Sequence, residues 1–296
     1  MRHGDLSESA VESYREAGDI LQTVLEETVD RVEQGKTHLE IAEFAENRIT
    51  ELGGKPAFPL NISVNEEASH ASPDRDDETE FGADMICLDI GVHVDGWIAD
   101  AATTIDFTDN QELVEAADEA LDAALDMIEP QVHTGEIGAE IEEIINAYGY
   151  NPVVNLTGHG LAQYDAHTGP SIPNRAVSSG TELSAGDVIA IEPFATTGTG
   201  KVTEGAKTEI YSLENDRSVR NRRARQLLDT IRDEYQQLPF AARWLNGSRT
   251  DMAIQRLETQ GILTSYPVLK EDDTALVSQS EETVIVTSDG CEIITR

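Results

Sequence analysis

Apolar positions recur at helical spacing over residues 7–34, where Val11, Tyr14, Ile20, Leu21, Val24, Leu25 and Val29 mark one face and Gly35 supplies a stop. Thr37, with Glu40 three residues later, predicts a capped second helix through Ile41, Phe44, Ile49 and Leu52, ending at Gly53-Gly54. A strand-like piece near 60–64 follows, and then a polar, acidic loop over 65–81. Residues 85–106 place apolar runs on either side of Asp95-Gly96, a strong hairpin signal. The order then repeats, with helices over 111–128 and 136–147 and strands around 152–156, 187–197 and 207–213. Two helices followed by strands, twice over, predict a duplicated α+β domain whose helices cover one face of a curved antiparallel sheet. Residues 205–268 depart from that rhythm. Leu227, Leu228, Ile231 and Tyr235 mark one helix there, and a second runs from about 250 to 260 and stops at Gly261. We therefore expect a main domain of 1–204 plus 269–296, carrying a helical insert at 205–268. The chain closes with a hairpin around Asp289-Gly290.

Composition changes this picture in one respect. The 296 residues carry 57 acidic against 21 basic side chains, a net charge of −36. Charge of one sign on that scale keeps a protein soluble but repels itself, and at molar salt the screening length falls to about 3 Å. The spread of Asp and Glu over the whole chain points to a halophilic protein; the plainer reading is an acidic protein of moderate salt. There is no apolar run of the ~18 residues a membrane span needs. The start lacks the apolar core of a signal peptide, and two cysteines are too few for a disulfide framework. A cytoplasmic monomer that avoids membranes is expected.

The hairpin also carries the chemistry. If Val94 pairs with Trp97, Asp100 lies opposite Gly91, one same-face step from Asp89. Two carboxylates then converge inside an apolar hairpin, at great cost unless a cation offsets them. His159 sits between two glycines in Asn155-Leu-Thr-Gly-His-Gly, Glu192 interrupts the apolar run Val188-Ile-Ala-Ile, and Glu281 opens a late strand. One histidine and four carboxylates exceed the needs of a single ion. They suit two divalent ions about 3.5–4 Å apart. Mixed oxygen and nitrogen ligands suit Co, Mn, Fe or Zn.

These segments resemble the type II methionine aminopeptidases of archaeal kind, over essentially the whole chain. The shared motifs are Ala57-Phe-Pro, Leu88-Asp-Ile-Gly-Val-His-Val-Asp-Gly, Leu156-Thr-Gly-His, His167-Thr-Gly, Ala190-Ile-Glu-Pro-Phe-Ala-Thr, Tyr266-Pro-Val-Leu and Gln279-Ser-Glu-Glu-Thr. The resemblance implies the pita-bread fold and removal of the initiator methionine from nascent polypeptides, with small second residues preferred. It implies that Asp89, Asp100, His159, Glu192 and Glu281 hold two metals, with Asp100 and Glu281 bridging them. It makes Glu192 a proton carrier, places His167 on the substrate carbonyl or its oxyanion and His70 on the opposite wall, and gives Phe58 and Tyr266 to the methionine pocket. The sequence departs from the family pattern at Ser280 and Glu282 around the last ligand and at Ala166 before the second histidine. Those changes bear on pocket shape rather than on the ligand set.

Two further functions fit the same fold: a proline-directed peptidase, usually with an extra N-terminal domain, and a non-catalytic relative binding RNA or protein, usually without the full ligand set. Thr197-Gly-Thr-Gly-Lys201 is no phosphate loop, since Ala195 and Val202 stand where that motif needs Gly and Ser or Thr. The arginines of 217–225 read either as a solvated helix paired with surrounding acid or as a docking patch for ribosomal RNA. His93 reads as structural, and His3, His38 and His133 as surface histidines. Glu281 and Glu282 are adjacent, so a one-residue slip would exchange which faces inward.

Overall fold

The computed structural model describes residues 6–245 and 250–296. The first half runs α1 (Glu8–Val29), α2 (His38–Glu51), β1 (Lys55–Pro56), β2 (Asn61–Val64), β3 (Glu67–Ser69), β4 (Met85–Val94) and β5 (Trp97–Asp106). The second runs α3 (Gln111–Asp126), α4 (Thr134–Ala147), β6 (Asn151–Pro152), β7 (Thr157–Ala162), β8 (Asp165–Pro173), β9 (Val188–Ile191), β10 (Phe194–Thr196) and β11 (Thr203–Leu213). After β11 come α5 (Arg222–Glu234), β12 (Phe240–Ala241), a single 3₁₀ turn at Ala242–Trp244 and α6 (Thr250–Thr259). The chain returns through β13 (Leu263–Lys270), β14 (Val277–Gln279), β15 (Glu282–Val286) and β16 (Cys291–Ile293). Every strand pair is antiparallel. The duplicated α+β order expected from the sequence is present.

Local chemistry sets the boundaries. Ser7 caps α1 by accepting from the Ala10 N–H. The predicted capping box of α2 forms, Thr37 accepting from Glu40 and Glu40 from Thr37. α1 stops at Val29, short of the expected Gly35: Arg31 and Val32 donate to Thr28 and Val29 in tighter turns that bring Val32 into the core. The acidic loop expected over 65–81 contains β3, which pairs with β13. The strand expected at 152–156 is confined to β6, and β8 was not foreseen. At Pro193 the long strand expected over 187–197 breaks into β9 and β10, because proline offers no N–H to the ladder.

Two cores result. α1 packs on β4 and β5, burying Leu21 and Val24 against Leu88, Ile90 and Ile98. α3 and α4 pack on each other and over the second set of strands, burying Leu113, Leu121, Ile137 and Ile141 against Ile189, Ile191 and Val284. The segment between β11 and β13 has its own small core of Leu228, Ile231, Phe240 and Leu257. His38 and His133 are more than surface residues. The His38 ring lies 4.4 Å from that of Phe81, and His133 caps α4 by accepting from the Gly135 N–H. His93 is structural, accepting from the Gly96 N–H at 3.0 Å; His3 lies outside the described residues. No described helix is long and apolar enough to cross a membrane.

Candidate active site

The hairpin builds one side of the site. Asp95 and Gly96 both have positive φ, 51° and 88°, a turn that closes β4 directly onto β5. Val94 pairs with Trp97 and Asp100 with Gly91, the register expected from the turn. Asn61 pairs with Asp89, Asp89 with Ala102, and Ala102 with Glu281. These four residues form one rung across adjacent strands, and Asp100 lies two residues along β5 on the same face. Gly91 leaves room for the ring of Phe58: a Cβ there would lie 2.2 Å from it.

The second half supplies the rest. β7 carries His159 beside β9, paired to Ala190. Side chains at the flanking glycines 158 and 160 would meet the Ala190 and Gly169 carbonyl oxygens at 2.4 and 2.2 Å. Glu192 stands at the break before Pro193. Glu281 faces the site, whereas Glu282 turns away to bond Thr295 and Arg296, which settles the choice between them.

All nine residues singled out in the sequence line one cavity of about 230 Å³: Phe58, His70, Asp89, Asp100, His159, His167, Glu192, Tyr266 and Glu281. The sequence reading did not assign Asn61, Ser69, Asn155, Leu156, Thr157, Ile210 or Pro239, which line it too. Asn155, Leu156 and Thr157 lay within a quoted motif. Asn61 was findable only by extending the hairpin register to β2, and Ile210 and Pro239 arrive through the tertiary fold. Ala166 is buried in the first core, outside the lining.

The electrostatics call for cations. Among the described residues, no lysine or arginine lines the cavity. Burial pushes the carboxyls of Asp89, Asp100, Glu192 and Glu281 above the usual range. For Asp100, Glu192 and Glu281 the neighbouring carboxylates push further. Among the described residues, Oδ1 of Asp89, Oδ1 of Asp100 and Oε1 of Glu281 are buried with no hydrogen-bond partner. Ligand atoms of Asp100, His159 and Glu281 all lie within 4.8 Å of one another. Bare buried oxygens at that spacing fit divalent metal ions.

The histidines are oriented for the same purpose. His159 Nδ1 lies 3.4 Å from the Gly160 carbonyl, which can only accept, so Nδ1 carries the proton. Its Nε2 lone pair then faces Asp100 Oδ2 at 3.9 Å and Glu192 Oε1 at 3.8 Å, three donor atoms that a cation between them would satisfy. Burial lowers the His159 pKa to about 3, which keeps the ring neutral. His70 sits at φ 63° and donates through Nδ1 to the Pro267 carbonyl at 3.3 Å. Burial lowers its pKa to about 4, leaving Nε2 a neutral acceptor. The His167 ring stands 4.7 Å from that of His159, with Tyr266 beyond it.

Comparison with known proteins agrees with this geometry. Residues 12–231 match the family model described as metallopeptidase family M24. A curated methionine aminopeptidase of Archaeoglobus fulgidus is 50% identical over 286 residues, covering 96% of this chain and 98% of that one. The solved structure of a thermophilic Arx1 aligns with a TM-score of 0.88 at 19% identity, over 98% of this chain and 91% of that one. A methionine aminopeptidase from Thermotoga maritima aligns with a TM-score of 0.73 at 23% identity, over 99% of both chains. The fold is the pita-bread fold.

Proposed function

The chain belongs to metallopeptidase family M24, and from that premise we infer that it is a methionine aminopeptidase that removes the initiator methionine from nascent polypeptides. The carrying observation is the set of bare buried carboxylate oxygens on Asp89, Asp100 and Glu281 beside the oriented His159. In this reading Asp89, Asp100, His159, Glu192 and Glu281 hold two divalent ions, Co, Mn, Fe or Zn. When bound, the ions supply Lewis-acid polarisation of the first peptide carbonyl and an activated water.

The side chains do the rest. Glu192, half-buried at the edge of the cluster, carries a proton toward the leaving amine. His167 donates to the substrate carbonyl as negative charge develops on it. His70 Nε2, held unprotonated, accepts an N–H of the substrate backbone. Phe58 and Tyr266 bound the methionine side chain. A complete ligand set disfavours the non-catalytic reading, and a proline-directed activity is the rival that substrate tests must separate.

We assign 1–204 plus 269–296 to the catalytic domain and 205–268 to the insert of the type II class, supported by the insert's own core. The protein is a cytoplasmic monomer of a halophilic cell in this reading. The ribosome is a candidate partner. Arg217, Arg220, Arg222, Arg223 and Arg225 are exposed, and among the described residues none forms an ion pair, despite the excess of acid. Four of them crowd the N-terminal end of α5, where positive charge is unfavourable without an anion nearby.

The test is hydrolysis of Met-Ala-Ser in molar KCl with Mn or Co, for the wild type and His159→Ala. Methionine released by the wild type alone is expected. No release with either metal, from protein shown to be folded, would overturn the reading; cleavage of Xaa-Pro peptides instead would favour the proline-directed rival.

A further inference from the structure

Glu281 stands outside the regular strands. It lies between β14 and β15 and is tied to the sheet by two backbone hydrogen bonds with Ala102, of 3.0 and 3.2 Å. Its side chain is set by something else. Two residues earlier Gln279, 2% exposed, donates from Nε2 to Glu281 Oε2 at 3.0 Å. That leaves Oε1 of Glu281 as the bare oxygen.

A glutamine amide is nearly symmetric in shape, so its direction must be chosen by its partners. Here the chooser is Cys87 on β4, whose thiol donates to Gln279 Oε1 with sulfur and oxygen 3.1 Å apart. Turned over, the amide would aim its own oxygen at the Glu281 carboxylate, two acceptors with no proton between them. The Gln279 backbone cannot shift to relieve this. Thr104 accepts from its N–H at 3.0 Å and donates to its carbonyl at 2.7 Å.

Resting on the metallopeptidase reading, we propose that Gln279 is a positioning residue for the metal centre, and that the Cys87 thiol orients its amide so that Glu281 presents Oε1 to the metals. Cys87 touches no metal or substrate in this assignment; it acts through Gln279. Loss of such an outer partner typically costs 10–100-fold in metal affinity.

The test is calorimetric titration of the metal-stripped full chain with Mn in molar KCl, for the wild type, Gln279→Met, Cys87→Ser and Cys87→Ala. Gln279→Met, similar in size but unable to donate, is expected to bind Mn ~10–100-fold more weakly while melting cooperatively. Cys87→Ser, which keeps an O–H donor, should stay near the wild type, and Cys87→Ala should lose affinity. Wild-type Mn affinity in folded Gln279→Met overturns the assignment. If Gln279→Met does not fold, the cysteine pair decides, and equal affinities for Cys87→Ser and Cys87→Ala overturn it. A wild type that takes up no Mn would overturn the metallopeptidase reading itself, and the assignment with it.

Discussion

Glu46 on α2 and Arg243 in the 3₁₀ turn after β12, 197 positions apart, form a buried ion pair between α2 and the segment that links β11 to β13. Trp244 donates to Glu46 Oε2 at 2.7 Å, and Arg243 Nη1 donates to Ser72 Oγ at 2.8 Å and the Pro73 carbonyl at 2.9 Å. The network therefore clasps the segment that carries Phe58 and His70. Removing one partner strands the other charge. Arg243→Met should destabilise the protein by about 3–5 kcal/mol. Urea unfolding checks this, and Glu46→Leu with Arg243→Met should cost less than the two single changes together.

The proposed metal ligands should be stability liabilities without metal. Asp100 is 3% exposed among like charges. Asp100→Asn is expected to raise the melting temperature in a chelator, since it removes one buried charge from the cluster. The same change should lower methionine release by at least ~100-fold and abolish the stabilisation that added Mn gives the wild type. Melting with and without Mn, alongside peptide hydrolysis, reads all three.

His93 should steepen the loss of stability in acid. Burial lowers its pKa to about 4, the nearby Lys55 charge adds to this, and Asp95 opposes it. The unfolded ring titrates near 6.5, so between about 6.5 and 4 the unfolded state binds more protons than the folded one. Stability is then complete above about 6.5 and is lost as the pH falls through about 4, amounting to about 3 kcal/mol. His93→Gln keeps an acceptor for the Gly96 N–H without titrating. Denaturant unfolding at several pH values should show a shallower acid limb for the variant.

Salt should act on the whole surface. A net charge of −36 repels itself when unscreened. Dialysis from molar to millimolar KCl is expected to lower the melting temperature by several degrees, and equal melting at both would refute the halophilic reading.

Gly91→Ala tests the pocket wall. The added methyl would strike the Phe58 ring, so the variant should lose about 1–3 kcal/mol of stability and bind substrate more weakly. Unfolding and a KM measurement separate the two effects.

What could be read from the sequence depended on how locally each element is determined. The Asp95-Gly96 turn fixes its own register, so Asp89 and Asp100 were placed correctly from adjacent residues alone. The capping box at Thr37 is equally local. β8 was missed because its exposed and sheltered positions alternate but the sheltered ones include Ala166, Thr168 and Pro170, too small or too polar to show as a hydrophobic period. β3 was hidden among acidic residues because its pairing partner β13 is about two hundred positions away. The end of α1 was overrun because Val32 continues the apolar spacing after the helix has tightened. Of the site, the proposed ligands announced themselves as charges in apolar runs, whereas Gln279 and Asn61 are ordinary polar residues until tertiary contact sets them against Glu281 and Asp89.

The two-residue turn of the hairpin has a geometric consequence. The acidic stretch between β3 and β4 and the approach to α5 carry none of the proposed ligands. Adding a single residue at Asp95-Gly96 would slide β5 by one position and carry Asp100 to the opposite face of the sheet. The length of this turn is therefore what holds Asp89 and Asp100 on one face, and an exchange at either position must keep its φ positive to leave that register in place.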